Sequence, residues 1–465
     1  MSETAKLSAF VAACRLDALP PELAPRARLL VLDLAGNIVR ARHDAESTPA
    51  LLAATRALGA AAGNSGVFGD CSRYTPLGAA FLNAALAHSL DFDDTHAAGS
   101  LHPGAPVIPA ALAAGEMTGA PGSDVLAAIV AGYEVTCRIA LALPAKAHYD
   151  RGFHPTSTCG AFGAAAAAAR VFGLDAAGTA SALGIALSQS AGSLQFLANG
   201  AWTKRFQVGW SAMAGLAAAT LAREGFKGAA APLEGRHGFL RAYAPDPDPA
   251  QLTAALGARF ELMQTAVKPY PSCRYGHACI DAALALRAEP GFDPAQIERV
   301  TLGLPRAGLL LVGEPLDQKR RPENIVDAQF SGPFVVATTL LAGAMGWDSY
   351  GQLHDPAIRA LMARTTAIHD PAAEAAAPAQ MAGRLTIDLP SRRLERFVAI
   401  PKGEPANFLT EPELRAKFTS LAAPILGEVR TLALAARILA FDELAKMGSL
   451  MRLAAPVASA RLAGD

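Results

Sequence analysis

KPYPSCRYGH, residues 268 to 277, marks the place where the texture of the chain changes. Two prolines, a glycine and three basic side chains, Lys268, Arg274 and His277, sit between a long helical stretch and a segment of a different kind. Downstream, IERVTLGLP (297 to 305) alternates and carries β-branched residues, the pattern of a half-buried strand. AGRLTIDLPSRRLERFVAIPKG (382 to 403) reads as two strands joined by a short turn, with a helix over Ala278 to Ala288 and another over Asp327 to Ala342. PAAEAAAPAQ (371 to 380) reads as a mobile surface connection. Upstream, apolar residues recur at three- and four-residue spacing, as in Leu29, Val31, Leu32, Leu34 and Ile38. Successive helices are expected over Pro21 to Arg42 (starting near Pro25), Gly78 to Leu90, Ala105 to Thr118, Asp124 to Ala142, Ser157 to Phe172, Asp175 to Ser190 and Phe206 to Glu224. Pro106 and Pro109 are expected in a first turn, where proline is tolerated. Ser123 or Asp124 is expected as an N-cap, and Asp175 as another. Helix returns over Thr410 to Leu426 and Thr431 to Leu453. The chain therefore reads as mainly α with an α+β insert. Residues 1–265 and 403–465 make a helical domain, and 266–402 an α/β domain.

Composition narrows the function. The chain has 465 residues, 52% of them apolar and 18% charged, so it can bury a large core. Lys+Arg and Asp+Glu both total 41, and the net charge is zero. A nucleic-acid partner would show as a basic excess, and none exists. The longest uncharged stretch, Ala176 to Thr203, contains Ser, Thr, Gln, Asn and Gly and is too polar to span a membrane. The first residues lack the pattern of a secretory signal, so a cytoplasmic protein with reduced cysteines is expected. The six cysteines form no CxxC pair. Neither GxGxxG after a strand, GxxxxGK[ST] nor GxSxG occurs, so no nucleotide loop or nucleophile elbow is expected.

Four clusters carry the chemistry. HSLDFDDTHAAGSLHPGAPVIPAAL (88 to 112) holds Asp91, Asp93, Asp94, His88, His96 and His102 where one helix ends and another begins. Its spacing fits neither HExxH nor a calcium loop, and no second carboxylate-rich segment completes a shell, so no metal is assigned. Acid/base work by a histidine oriented by an aspartate remains. In HYDRGFHPTSTCGAFG (148 to 163), His154 lies just outside the start of an Ala-rich helix, a position that disfavours a second cation and keeps an imidazole neutral. The hydroxyls of Thr156, Ser157 and Thr158 are suited to capping that helix. NGAWTKRFQVGWSA (199 to 212) places Lys204 and Arg205 between apolar segments, where a buried cation needs an anion. KPYPSCRYGH adds Lys268, Cys273, Arg274 and His277 at the junction.

These strings resemble the MmgE/PrpD family. DFDDTH with HPGAPVIPAALA, RGFHPTSTCGAFGAA, TKRFQVGWSA, and KPYPSCRYGH followed by DAQFSGPF (327 to 334) recur in the family's order, from about residue 10 to residue 450. The resemblance implies a large all-α domain built from both chain ends and a smaller α/β lid, a homodimer, and chemistry without metal or organic cofactor. The family includes 2-methylcitrate dehydratase, cis-aconitate decarboxylase and iminodisuccinate epimerase. By motif, Asp91, Thr95, His102, His154, Lys204 and Lys268 look like its site residues. Cys273 stands where the decarboxylase branch carries His, and Gln318 where it carries Tyr. The spacing from Thr95 to His102 is also one residue longer than the family's.

The implied activity is a lyase, dehydratase in type, on a small polycarboxylate. Lys204, Lys268 and Arg274 hold carboxylates, with Thr95, Cys273 and Tyr275 lining the substrate. One of His102 and His154 takes the α-proton, the other serves the departing hydroxyl, and Asp91 orients one ring. An epimerase of an imino or amino diacid needs the same residues without a leaving group. A decarboxylase or a carboxylate-binding protein without catalysis are the remaining alternatives.

Overall fold

A computed structural model describes residues 1–456. The chain is 60% helix and 7% strand, with its main sheet in the C-terminal part. It divides into two compact units. Met1–Ala266 and the segment from Thr410 onward make a helical body, and Val267–Leu409 makes the insert. The sequence reading had placed the insert at 266–402.

In the body, the Ala-rich helix Pro155–Val171 packs against Gly104–Thr118, Gly122–Leu141 and Thr203–Arg223. Ala164 to Ala169 are fully buried. Small side chains let the helix axes approach closely. A Cβ on Gly163 would fall 1.7 Å from Thr136 Oγ1, and one on Gly215 would fall 2.5 Å from the Cβ of Ala164, so neither position admits a side chain. The helix Leu23–Asp44 carries a buried face, and the returning helix Glu411–Leu426 packs along it. Thr410 and Glu413 cap that second helix reciprocally, an S/T-x-x-E start legible in TEPE. A core of Leu7, Val11, Val135, Ile139, Phe162, Leu183 and Phe239, among others, fills one region of the body.

In the insert, four strands run in the spatial order Thr365–His369, Arg299–Leu304, Gly383–Asp388, Arg393–Val398. The first pair is parallel and the others antiparallel. Val300, Leu302 and Leu304 alternate into a core with Leu385, Ile387, Phe334 and Cys279. The helices His277–Arg287 and Gly332–Ala342 help close it.

Several local expectations need correction. The helix Gly122–Leu141 starts at Pro121 with no side-chain cap; the Gly122 N–H donates to the Leu444 carbonyl instead. Pro109 lies inside its helix, beyond the first turn. The span from Asp327 to Ala342 is two helices, Ile325–Gln329 and Gly332–Ala342, because Ser331 caps the second by accepting from Phe334 N–H. The span from Thr431 to Leu453 is likewise broken, into Glu428–Leu439 and Gly448–Leu453 with a short 3₁₀ turn between. Pro371–Ala376 is a short helix capped by Asp370, within what reads in sequence as a bare connection.

Candidate active site

The site loop follows the helix Pro76–Ala87 and leads into Gly104–Thr118. Asp91 takes a φ of 53°, a left-handed conformation that costs a non-glycine residue about 1–3 kcal/mol and persists only where neighbours hold it. Beside it, the Phe92 carbonyl accepts from Asn37 Nδ2 at 3.1 Å and Lys417 Nζ at 2.9 Å. Asp94 accepts from Tyr133 Oη at 2.6 Å and from the Gly104 N–H at 3.1 Å, which ties the loop to the next helix. Burial, with Asp93 and Asp33 nearby, pushes the Asp94 carboxyl up to about 8 despite those two donors. Thr95 and His96 pair with Ala266 and Thr265. The stretch between Thr95 and His102 is a closed loop, in which His96 and Leu101 exchange both backbone hydrogen bonds and Ser100 takes a φ of 51°.

Asp91 is expected to orient an imidazole; the contact seen at its carboxylate is with a cation. Its Oδ1 accepts from Lys204 Nζ at 2.8 Å. Burial works against the Lys204 ammonium, but Asp91 outweighs it and the pKa lies above the ordinary value. The orienting position belongs to Asp93, two residues on. Its Oδ2 lies 2.7 Å from His88 Nδ1 and 3.3 Å from His102 Nδ1. Burial opposes the Asp93 carboxylate, yet the two histidines hold its pKa well below the usual range. The His88 ring packs edge-on to His102 at 4.7 Å and lies 5.8 Å from His154. Burial lowers His88 to about 4, against the pull of Asp93. Burial, then His88 and Lys204, hold His154 well below its ordinary value, so it is neutral at pH 7.

His154 stands at the N-cap position of Pro155–Val171, as its place in the sequence implies. The hydroxyls after it do not cap that helix. Thr156 Oγ1 accepts from the His102 N–H at 3.2 Å, Ser157 Oγ donates to the carbonyls of Ala191 and Gln207, and Thr158 meets His148. Four buried polar atoms here have no hydrogen-bond partner: His88 Nε2, Asp93 Oδ1, Thr95 Oγ1 and His102 Nδ1, the last lying 3.3 Å from Asp93 Oδ2 without hydrogen-bond geometry. Arg205 donates to Ser47 Oγ at 3.1 Å.

The body thus brings together Asp91, His102, His154 and Lys204, with Thr95 at the end of the same loop. Lys268, Cys273, Arg274 and Tyr275 belong to the insert. There Arg274 pairs with Glu404. The Cys273 N–H donates to the Gln329 carbonyl, and Tyr275 packs on Gly308. His88, Asp93 and Gln207 are the functional candidates that the motif correspondence passes over. DFDD offers three carboxylates in four positions, and only the turn at Asp91 decides which faces the histidines.

His88, Asp93 and His102 place three potential ligand atoms within 4.8 Å, although the sequence reading assigned no metal. Asp91 is engaged by Lys204 and Asp94 by Tyr133 and Gly104, so among the described residues no second carboxylate joins that trio.

Comparison with known proteins gives the family. The MmgE/PrpD N-terminal domain model matches residues 5–252, and the MmgE/PrpD C-terminal domain model residues 270–440. Cis-aconitate decarboxylase-like protein oryM of Aspergillus oryzae is 28% identical over 415 residues, 84% of this chain and 85% of its own. Cis-aconitate decarboxylase of Mus musculus is 32% identical over 315 residues, 64% of this chain and 62% of its own. The enzyme of that name from Aspergillus terreus is 25% identical over 410 residues, 83% of each. With the motif order, the helical body of both chain ends and both domain models in agreement, the chain belongs to the MmgE/PrpD family.

Proposed function

We propose that the chain is a cofactor-independent lyase that removes a proton alpha to a carboxylate of a small polycarboxylate and eliminates water. One observation carries the reading: two imidazoles face a single buried carboxylate and a third lies 5.8 Å from one of them, beside a Lys204–Asp91 pair, with Asp93 Oδ1, His88 Nε2, His102 Nδ1 and Thr95 Oγ1 unsatisfied. Buried polar groups are almost always hydrogen-bonded, so such a concentration of unmet capacity suits a polar ligand. Neutral imidazoles are suited to proton transfer near neutral pH. Lys204 is a partly buried cation suited to the charge of a developing enediolate.

The names of the relatives favour a second outcome, loss of carbon dioxide from a cis-aconitate-like acid. Cys273 and Gln318, which replace the His and Tyr of the decarboxylase branch, favour elimination. Proton NMR in D₂O with 2-methylcitrate, citrate, cis-aconitate, tartrate and iminodisuccinate separates the readings. An olefinic product from a hydroxy acid is expected. Carbon dioxide release would select decarboxylation, and deuterium at an inverted α-carbon without alkene would select epimerisation. No change with any of these acids would remove the lyase reading for this substrate class.

The family reading also proposes a homodimer in solution. Leu58, Leu77, Trp202, Phe206 and Trp210 are exposed around one groove of about 730 Å³ in the body, an apolar face of the kind that subunits cover. Light scattering is expected to give twice the 47.9 kDa chain mass, and a monomer mass would remove this proposal.

A further inference from the structure

Gln207 lies one turn after Lys204 on the helix Thr203–Arg223. Ser193 fixes the orientation of its side-chain amide: the Ser193 N–H donates to Oε1 at 2.8 Å, and Nε2 donates to the Ser193 carbonyl at 3.2 Å. The other amide hydrogen is aimed at His154 Nδ1, 2.8 Å away. An amide nitrogen only donates, so His154 Nδ1 accepts, and in the neutral ring the hydrogen resides on Nε2. Asp93 does the opposite to its two histidines. A carboxylate only accepts, so His88 Nδ1, hydrogen-bonded to Asp93 Oδ2 at 2.7 Å, carries the hydrogen; His102 Nδ1 lies 3.3 Å from the same oxygen without hydrogen-bond geometry, and the negative charge there favours the same tautomer, with Nε2 presenting a lone pair. His88 Nε2 is buried, whereas the His102 side chain keeps 17% of its surface accessible.

We propose that His102 and His154 are held in opposite tautomers, and that Gln207 is the positioning residue that makes His154 a hydrogen-bond donor and leaves proton abstraction to His102. The chemical consequence rests on the lyase reading; the tautomers do not. His102 Nε2 takes the α-proton, and the C–H electron pair passes into the adjacent carboxylate as an enediolate. His154 donates its Nε2–H to that charge without surrendering the proton, as a neutral imidazole can. The His102 imidazolium then returns the proton to the β-hydroxyl as the C–O bond breaks, and water and the alkene leave. One base serves both steps, in place of the division of labour between two histidines that the sequence suggests. Epimerisation by two bases would need a lone pair on His154 Nε2, which Gln207 denies it.

The test uses protein labelled with nitrogen-15 in histidine alone, with His154 assigned by its absence in His154→Asn. Long-range proton–nitrogen correlations are expected to show His154 protonated at Nε2 and bare at Nδ1, and His102 the reverse. Gln207→Glu keeps the shape but presents an acceptor, so His154 is expected to move its hydrogen to Nδ1. With whichever acid is turned over, kcat is expected to fall about 10²-fold or more with KM changed far less. A wild-type His154 carrying its hydrogen on Nδ1 would overturn the proposal. So would a Gln207→Glu enzyme that keeps the Nε2–H tautomer or the wild-type kcat. If that variant does not fold, the wild-type spectrum alone decides. Should no acid be turned over while the tautomers are as stated, the lyase reading fails and the assignment of the rings stands.

Discussion

Lys417→Met is expected to destabilise the body by about 3–5 kcal/mol, the cost of removing one partner from a buried ion pair. Lys417 Nζ lies 2.6 Å from Asp33 Oδ1, and both side chains are buried. The ammonium also donates to the Phe92 carbonyl and sits 3.6 Å from the centre of the Phe92 ring. Burial already raises the Asp33 pKa, and Asp93 pushes the same way; Lys417 is the cation that opposes them. Methionine has nearly the volume of lysine and no charge, so the loss measured is electrostatic. Replacing Asp33 as well, in Asp33→Leu/Lys417→Met, is expected to recover most of the stability, because an uncompensated buried charge no longer remains. Urea unfolding of the three proteins checks this. A single variant within about 1 kcal/mol of wild type, or a double variant no better than the single, would show that the pair does not carry the site loop.

Asp93→Asn is expected to leave the fold intact and to reduce turnover about 10²–10⁴-fold, the range of a well-placed acid or base. Asp93 Oδ2 serves His88 and His102 at once. Both rings face that one oxygen, so in the amide they meet either a weaker acceptor or, with the amide turned over, a nitrogen that cannot accept at all. The negative charge that balances an imidazolium on His102 goes with it. Steady-state kinetics beside a thermal melt decide the matter. Activity within about fivefold of wild type at an unchanged melting temperature would shift the orienting role to another residue.

Much of this was legible in residue order. The 3.6-residue pattern located the body helices, Asp175 capped where its side chain suggests, and the Pro-rich string at 268 marked the change of texture. The strand Thr365–His369 was missed. TTAIH is partly exposed and lies on the edge of the sheet, so it shows no clean alternation of buried and exposed residues. Ser331 breaks a helix that periodicity alone would run through, because a cap is a local hydrogen bond and leaves no mark on hydrophobic spacing. Within DFDD the sequence could not separate Asp91 from Asp93. They stand on the same side of an extended chain, and it is the left-handed φ at Asp91 that sends one to Lys204 and the other to the histidines. The hydrogen bond from Gln207 to His154 spans 53 residues and depends on how a loop presents Ser193. No spacing rule reaches that far.

The hydrogen bond from Lys417 to the Phe92 carbonyl joins residues 325 apart, which gives the site a history as well as a shape. A ribosome that has just made the aspartate loop must go on to make the rest of the body and the entire insert before the residue that braces it appears. At ~5–20 residues per second that is roughly half a minute. Throughout that time the half-built body exposes the groove of Leu23–Asp44 that the helix Glu411–Leu426 will cover. The centre is therefore set late in synthesis, and a nascent chain needs protection along that groove until the returning helix is made.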